Sequence, residues 1–150
     1  MARPSLFDPG VHDQLVARLG QLSRNDKPRW GRMDPGRMLA HLRDAGRMTL
    51  GELSITAPLP FRPPRFLAGL MIRHLPWPRS AKTAPELLPH AAASFEQDRQ
   101  DVLEVLGRIV ERHQRGQALP PHPVFGDLGD DLHGRLLARH VDHHLRQFGR

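Results

Sequence analysis

Residues 130–148, DDLHGRLLARHVDHHLRQF, place Leu136, Leu137, Val141, Leu145 and Phe148 at helical spacing. Side chains three or four positions apart share one side of an α-helix, so the pattern predicts a helix with an apolar inner face. His140 and His144 fall on that same face, with Cβ atoms about 5–6 Å apart if the stretch is helical. His143 turns about 100° away from His144, toward Arg139 and Gln147 on the polar flank.

Three more segments carry the same period. FDPGVHDQLVARLGQL (7–22) opens with Asp8 and Pro9, read as an N-cap and first-turn pair, and spaces Val11, Leu15, Leu19 and Leu22 for a first helix. Asp34 and Pro35 repeat that signal for a second helix running to about Gly51, with Met38, Leu42, Ala45 and Met48 or Thr49 inward. SFEQDRQDVLEVLGRIVERHQRG (94–116) has Ser94 and Gln97 spaced as a capping box, with Val102, Leu103, Leu106, Ile109 and Val110 on one side and Gly116 at its end.

Between the second and third of these long helices, prolines at Pro58, Pro60, Pro63, Pro64, Pro76, Pro78, Pro85 and Pro89 forbid long regular elements. Only PRFLAGLMIRHL has room for a short helix. The segment is nonetheless too apolar for a free linker, so Phe61, Phe66, Leu67, Leu70, Met71, Ile72, Leu75 and Trp77 are expected to bury against the helices or form a partner surface. Four long amphipathic helices, no alternating strand pattern and one long connection between two short ones predict an all-α four-helix bundle. Its expected topology is up-down-down-up, as one domain over residues 1–150.

Composition narrows the function classes. The chain has no cysteine, which excludes disulfides, thiolate ligands and a protein thiol nucleophile. No apolar leader opens it, and the run near FLAGLMI (66–72) is far shorter than the roughly 18–20 residues a membrane span needs. A soluble, cytoplasmic protein without a membrane partner is expected. The net charge of +6 would suit phosphates, but twenty Arg and two Lys run from Arg3 to Arg150 interleaved with acids, which argues against nucleic acid.

A third histidine bears on the chemistry. His41, in MLAHLRDA, lies between Met38 and Ala45 on the inward stripe of the second helix. Burying neutral imidazoles is costly unless each finds a partner, and one shared cation satisfies three at once. Surface or hydrogen-bonded core histidines are the plainer alternative. His133 shares the face of His140 and is a candidate pocket residue, whereas His12, His74, His90, His113 and His122 read as surface or crossover positions. Asp44, Glu52, Asp98 and Asp101 could include an acceptor behind the site or a general base, and Arg37 and Arg47 could bind an anion; solvated helix charges are the commoner role of each.

MLAHL, the crossover ending in TAPELL, HPVFGDL and RHVDHHLRQFG together resemble the DinB/YfiT-like superfamily, in particular its small-bundle branch, over nearly the whole chain. Many members end the last motif His-Arg-Gly-Gln, where this chain has His144, Leu145, Arg146 and Gln147. The resemblance implies a divalent metal, such as Zn, Ni or Fe, on His41, His140 and His144, with remaining positions open to water or substrate. Characterised relatives include thiol-dependent S-transferases and a mycothiol-dependent isomerase. The resemblance therefore implies a metal-dependent transferase or hydrolase acting on a small molecule, with a low-molecular-weight thiol as cosubstrate, in a chain able to form a homodimer. A non-catalytic bundle that holds a metal or small ligand, or serves dimerisation, is the alternative. No further catalytic residue is assigned.

Overall fold

In the computed structural model residues 3–56, 62–79, 83, 85–87 and 94–150 are described. Phe61, His90, Pro58, Pro60 and Pro89 of the expected crossover lie outside the described residues. The elements are α1 (Val11–Gly20), α2 (Pro35–Thr49), α3 (Arg65–His74), a 3-10 turn (Pro85–Leu87), α4 (Phe95–Gln114) and α5 (Gly129–Gln147). Among the described residues the chain is all-helical, with no strand.

Local chemistry explains most of the helix ends. Asp34 accepts the Arg37 N–H at 2.9 Å and Pro35 opens α2, as expected from a missing donor where none is needed. Ser94 likewise accepts the Gln97 N–H at 3.1 Å, but the Gln97 amide donates onward to Asp101, so only half of the capping box forms. The first helix begins later than its sequence signal. Asp8 accepts the Ser5 N–H at 2.8 Å and closes a turn of its own, while Gly10 enters α1 with a φ of 78° that favours glycine.

α2 packs along α4, α1 contacts both α4 and α5, and α3 lies on α5. The main core joins Leu15, Leu19, Met38, Leu42, Val102, Ile109, Val141 and Leu145 of the inward stripes read from the sequence, whereas Val11, Leu103 and Val110 are only partly buried and Val105, outside the expected stripe, is buried. A second cluster, Ala68 and Ile72 against Leu128, Leu132 and Leu136, seats α3 on α5. At Gly69 the two helices are already in contact range, since an added Cβ would stand 3.5 Å from Leu132 Cδ1, an ordinary van der Waals distance.

Of the two outcomes expected for the crossover, burial against the helices does not hold for the outer face of α3. Phe66, Leu67, Leu70 and Leu75 are exposed, because a ten-residue helix lying on α5 buries only the side that holds Ala68, Gly69 and Ile72. The flank of α5 read as polar is also different. Arg139 is buried, and its guanidinium donates to the carbonyls of Met71 (3.0 Å), Ile72 (2.9 Å) and Leu75, capping the end of α3. No helix of the described residues is long and apolar enough to cross a membrane.

A tight interhelical approach is at Gly46 on α2, where an added Cβ would meet the two methyls of Val105 on α4 at 2.6 and 2.9 Å. Overpacking of this kind costs about 1–3 kcal/mol. Gly46→Ala is expected to lower the free energy of unfolding by that amount, read as a lower urea midpoint with an unchanged denaturant slope; a midpoint equal to that of the parent chain would show that the helices separate without cost.

Candidate metal centre

The second helix presents His41 inward between Met38 and Ala45, and α5 presents His140 and His144 one turn apart. Their Nε2 atoms converge. His41 Nε2 stands 2.9 Å from His140 Nε2, which stands 3.2 Å from His144 Nε2. Donors held tetrahedrally about 2.05 Å from a zinc ion are about 3.3 Å apart, so both separations approximate the edge of one coordination polyhedron. One nitrogen from each ring lies within 4.8 Å of the others, and among the described residues no carboxylate joins the group.

Hydrogen bonds behind the rings fix where the protons sit. His41 Nδ1 lies 3.1 Å from the Leu87 carbonyl, which can only accept, so Nδ1 carries the proton and Nε2 a bare lone pair. Gln147 does the same for His144 through two contacts. Its amide nitrogen donates to the Trp30 carbonyl at 2.9 Å, which turns its Oε1 toward His144 Nδ1 at 3.1 Å and makes that nitrogen the donor. Both lone pairs therefore face His140 Nε2, which has at most one proton to give. At least one of the two lone pairs is left without a donor at about hydrogen-bond distance unless a cation enters.

Charging the rings is no remedy. Burial pushes His144 down to about 3, reinforced by neighbouring His41; burial lowers His41 despite its bond to Leu87; and burial with His144 and His41 nearby holds His140 well below its usual range. The three rings are neutral at physiological pH, which is the state a metal ligand requires.

The family model described as "Protein of unknown function (DUF1569)" matches residues 9–150, a span that includes all three histidines, Leu87 and Gln147. The chain belongs to this family. No curated protein and no solved structure matches it.

Around the centre of this DUF1569 member the walls are aromatic. Trp77 stacks on His140 with ring centroids 5.3 Å apart and 16° between planes. His143, half-buried beside His144, lies 5.6 Å from the Trp30 ring and 5.9 Å from that of Trp77. The acids considered as acceptors or bases are engaged elsewhere. Asp44 and Asp98 pair with Arg43 at 2.9 and 2.6 Å, Glu52 pairs with Arg108, and Asp101 accepts from Gln97. Arg47 is exposed, and Arg37 is exposed beside Asp34.

Two histidines passed over as crossover or pocket positions turn out to be paired. His122 and His133 rings lie 5.9 Å apart, and His133 is buried with no partner for its Nε2. His122 Nδ1 accepts the Val124 and Phe125 N–H groups at 3.1 and 3.3 Å, inside the HPVFGDL turn. Burial lowers His133 to about 4, and burial with His133 nearby lowers His122 to about 3.

These two rings set an acid limit. In the unfolded chain a histidine titrates near 6.5, so between that pH and the folded values the unfolded state holds more protons. Their contribution is complete above about pH 6.5 and is lost as pH falls toward 4 and then 3, by up to about 1.4 kcal/mol per pH unit for each ring. Urea midpoints taken from pH 7.5 down to about pH 4 should fall steadily; in the double variant His122→Phe, His133→Phe the slope should flatten, and an unchanged slope would place the protons elsewhere.

Proposed function

We propose that this chain is a metal-dependent enzyme of the DinB/YfiT-like kind, with His41, His140 and His144 holding one divalent ion, Zn, Ni or Fe. In this reading α1, α2, α4 and α5 form an up-down-down-up four-helix bundle, one domain, and α3 belongs to its long second connection. A small-molecule thiol or water is the nucleophile, for transfer, addition or hydrolysis on a small substrate.

The observation that carries the reading is the convergence of three neutral imidazoles, two with Nδ1 committed to acceptors so that their Nε2 lone pairs face His140 Nε2. Three protein donors, rather than the four of a structural zinc site, leave a coordination position for a reacting ligand. A divalent ion there supplies one thing, a lowered pKa for a bound thiol or water. His143, whose ring lies 5.2 Å from that of His144, forms no hydrogen bond among the described residues, and in this reading it takes up the proton so released. Trp77, flat on His140, fixes that ring and keeps bulk water from one side.

A holding role without catalysis is the second reading. It is favoured by the same Trp77 stack, and by a surface groove of ≈ 370 Å³ that is lined by α3 and the start of α5 and includes none of the three histidines.

Protein purified without chelator or histidine tag should contain close to one equivalent of a divalent metal by elemental analysis. His140→Ala and His144→Ala should lose it while keeping helical circular dichroism, because the helices have an apolar core of their own. His143→Ala should keep the metal; if it loses the metal and His140→Ala does not, the wrong face of α5 has been assigned. Consumption of a low-molecular-weight thiol only by loaded protein supports the enzyme, and a bound metal with no turnover of thiol or ester supports the holding role.

Gln147→Leu removes the acceptor that sets the His144 tautomer without touching a ligand. Metal affinity should fall by about 10–100-fold, as is usual for partners behind a ligating histidine. Competition with a chromophoric chelator measures this directly, and an unchanged affinity would mean that His144 keeps its proton on Nδ1 unaided.

A further inference from the structure

From Leu53 to Pro85 the chain has no Asp or Glu and five basic residues, Arg62, Arg65, Arg73, Arg79 and Lys82. This stretch breaks the interleaving of acids and bases found elsewhere and carries nearly all of the net charge of +6. The same stretch holds every exposed large hydrophobic side chain of the described residues: Phe66 at 79% exposure, Leu70 at 53%, Leu75 at 49% and Leu67 at 37%. Helical geometry puts Phe66, Leu70 and Arg73 on the side of α3 opposite Ala68 and Ile72, which are buried on α5, with Arg65 and Leu67 at the two margins.

We propose that this face docks the protein reversibly on an anionic phospholipid bilayer. Phe66 and Leu70 enter the boundary between headgroups and acyl chains, and Arg65, at the margin of the same face, meets the phosphates. Charge decides among the occupants that an apolar face admits. A second copy of the chain would set one net-basic surface against another, its nearest carboxylate, Asp131, being already paired, and an uncharged surface would leave Arg65 without a counterion. An anionic interface satisfies both the apolar and the basic residues, which is the composition of helices that lie on membranes rather than cross them. The helix needs no folding on arrival, because Arg139 already caps its end and Ile72 anchors it on α5. A groove of ≈ 370 Å³ beside Phe66, lined also by Arg65, Arg73, Leu128, Asp131 and Leu132, lies next to this face. Its one carboxylate, Asp131, is held by Arg73 and Arg135, and Arg65 makes no ion pair among the described residues.

The test is flotation of the purified full chain with vesicles of phosphatidylglycerol mixed into phosphatidylcholine, against vesicles of phosphatidylcholine alone. Binding is expected to the first only, and to be lost at about 1 M salt, where the screening length is about 3 Å. Arg65→Gln should lower partitioning about fivefold, and Phe66→Ser with Leu70→Ser by about tenfold or more. These side chains are exposed, so circular dichroism and the urea midpoint should not change. Equal recovery with both kinds of vesicle, or none with either, overturns the proposal. So does light scattering that shows a dimer of the parent chain converted to monomer by Phe66→Ser with Leu70→Ser, which would make the face a contact between copies.

Discussion

Three neutral imidazoles facing one another inside an apolar interior impose the constraint to which the surrounding chain is adapted. Each ring has one proton, and its placement decides whether the facing nitrogens attract or oppose. Leu87 and Gln147 draw two of those protons outward, to the far side of the rings. Their partners come from distant parts of the chain. The connection after α1 supplies the Trp30 carbonyl that orients Gln147, and a backbone bond from Arg29 N–H to the Gln147 carbonyl at 2.7 Å pins that connection to the end of α5. The 3-10 turn supplies Leu87, and the segment after α3 supplies Trp77. Ligands ride on helices, which hold position well, while the groups that set their protons come from connections and the last turn of α5.

A buried guanidinium without a carboxylate is ordinarily expensive, and Arg139 shows how the fold accommodates one. It is only 8% exposed, yet its acceptors are three carbonyls at the end of α3, where the helix dipole is negative. It also lies over the face of Trp77, at 5.3 Å from the ring centre. One side chain thus ties α3 to α5 immediately beside His140, and the indole between them shares both attachments.

Much of this was legible from spacing alone. Period 3.6 located α2, α4 and α5 to within a residue or two, and the inward stripe of α2 placed His41 on the buried side because Met38 and Ala45 flank it by one turn each. What escaped were polar residues whose partners are backbone carbonyls. Arg139 and Gln147 look solvated in a helical projection, and a carbonyl such as Leu87 O has no sequence signature at all. Gln147 could have been suspected, since it follows His144 by three positions and so shares its face. The start of α1 was misplaced because Asp8 served a preceding turn, a use of the same side chain that competes with helix capping. The exposure of Phe66 and Leu70 was beyond reach, because apolarity predicts a need for cover without saying what provides it.

The aromatic walls have one more consequence. The chain has two tryptophans and no tyrosine, and both indoles lie within 6 Å of the His143 ring, one of them stacked on His140. Its tryptophan emission therefore originates beside the imidazoles, with no phenol emission from elsewhere to obscure it. A quenching ion such as Cu or Ni, or any ligand that displaces an indole, would be visible in the protein's own light, without a label and at concentrations far below those needed to crystallise it.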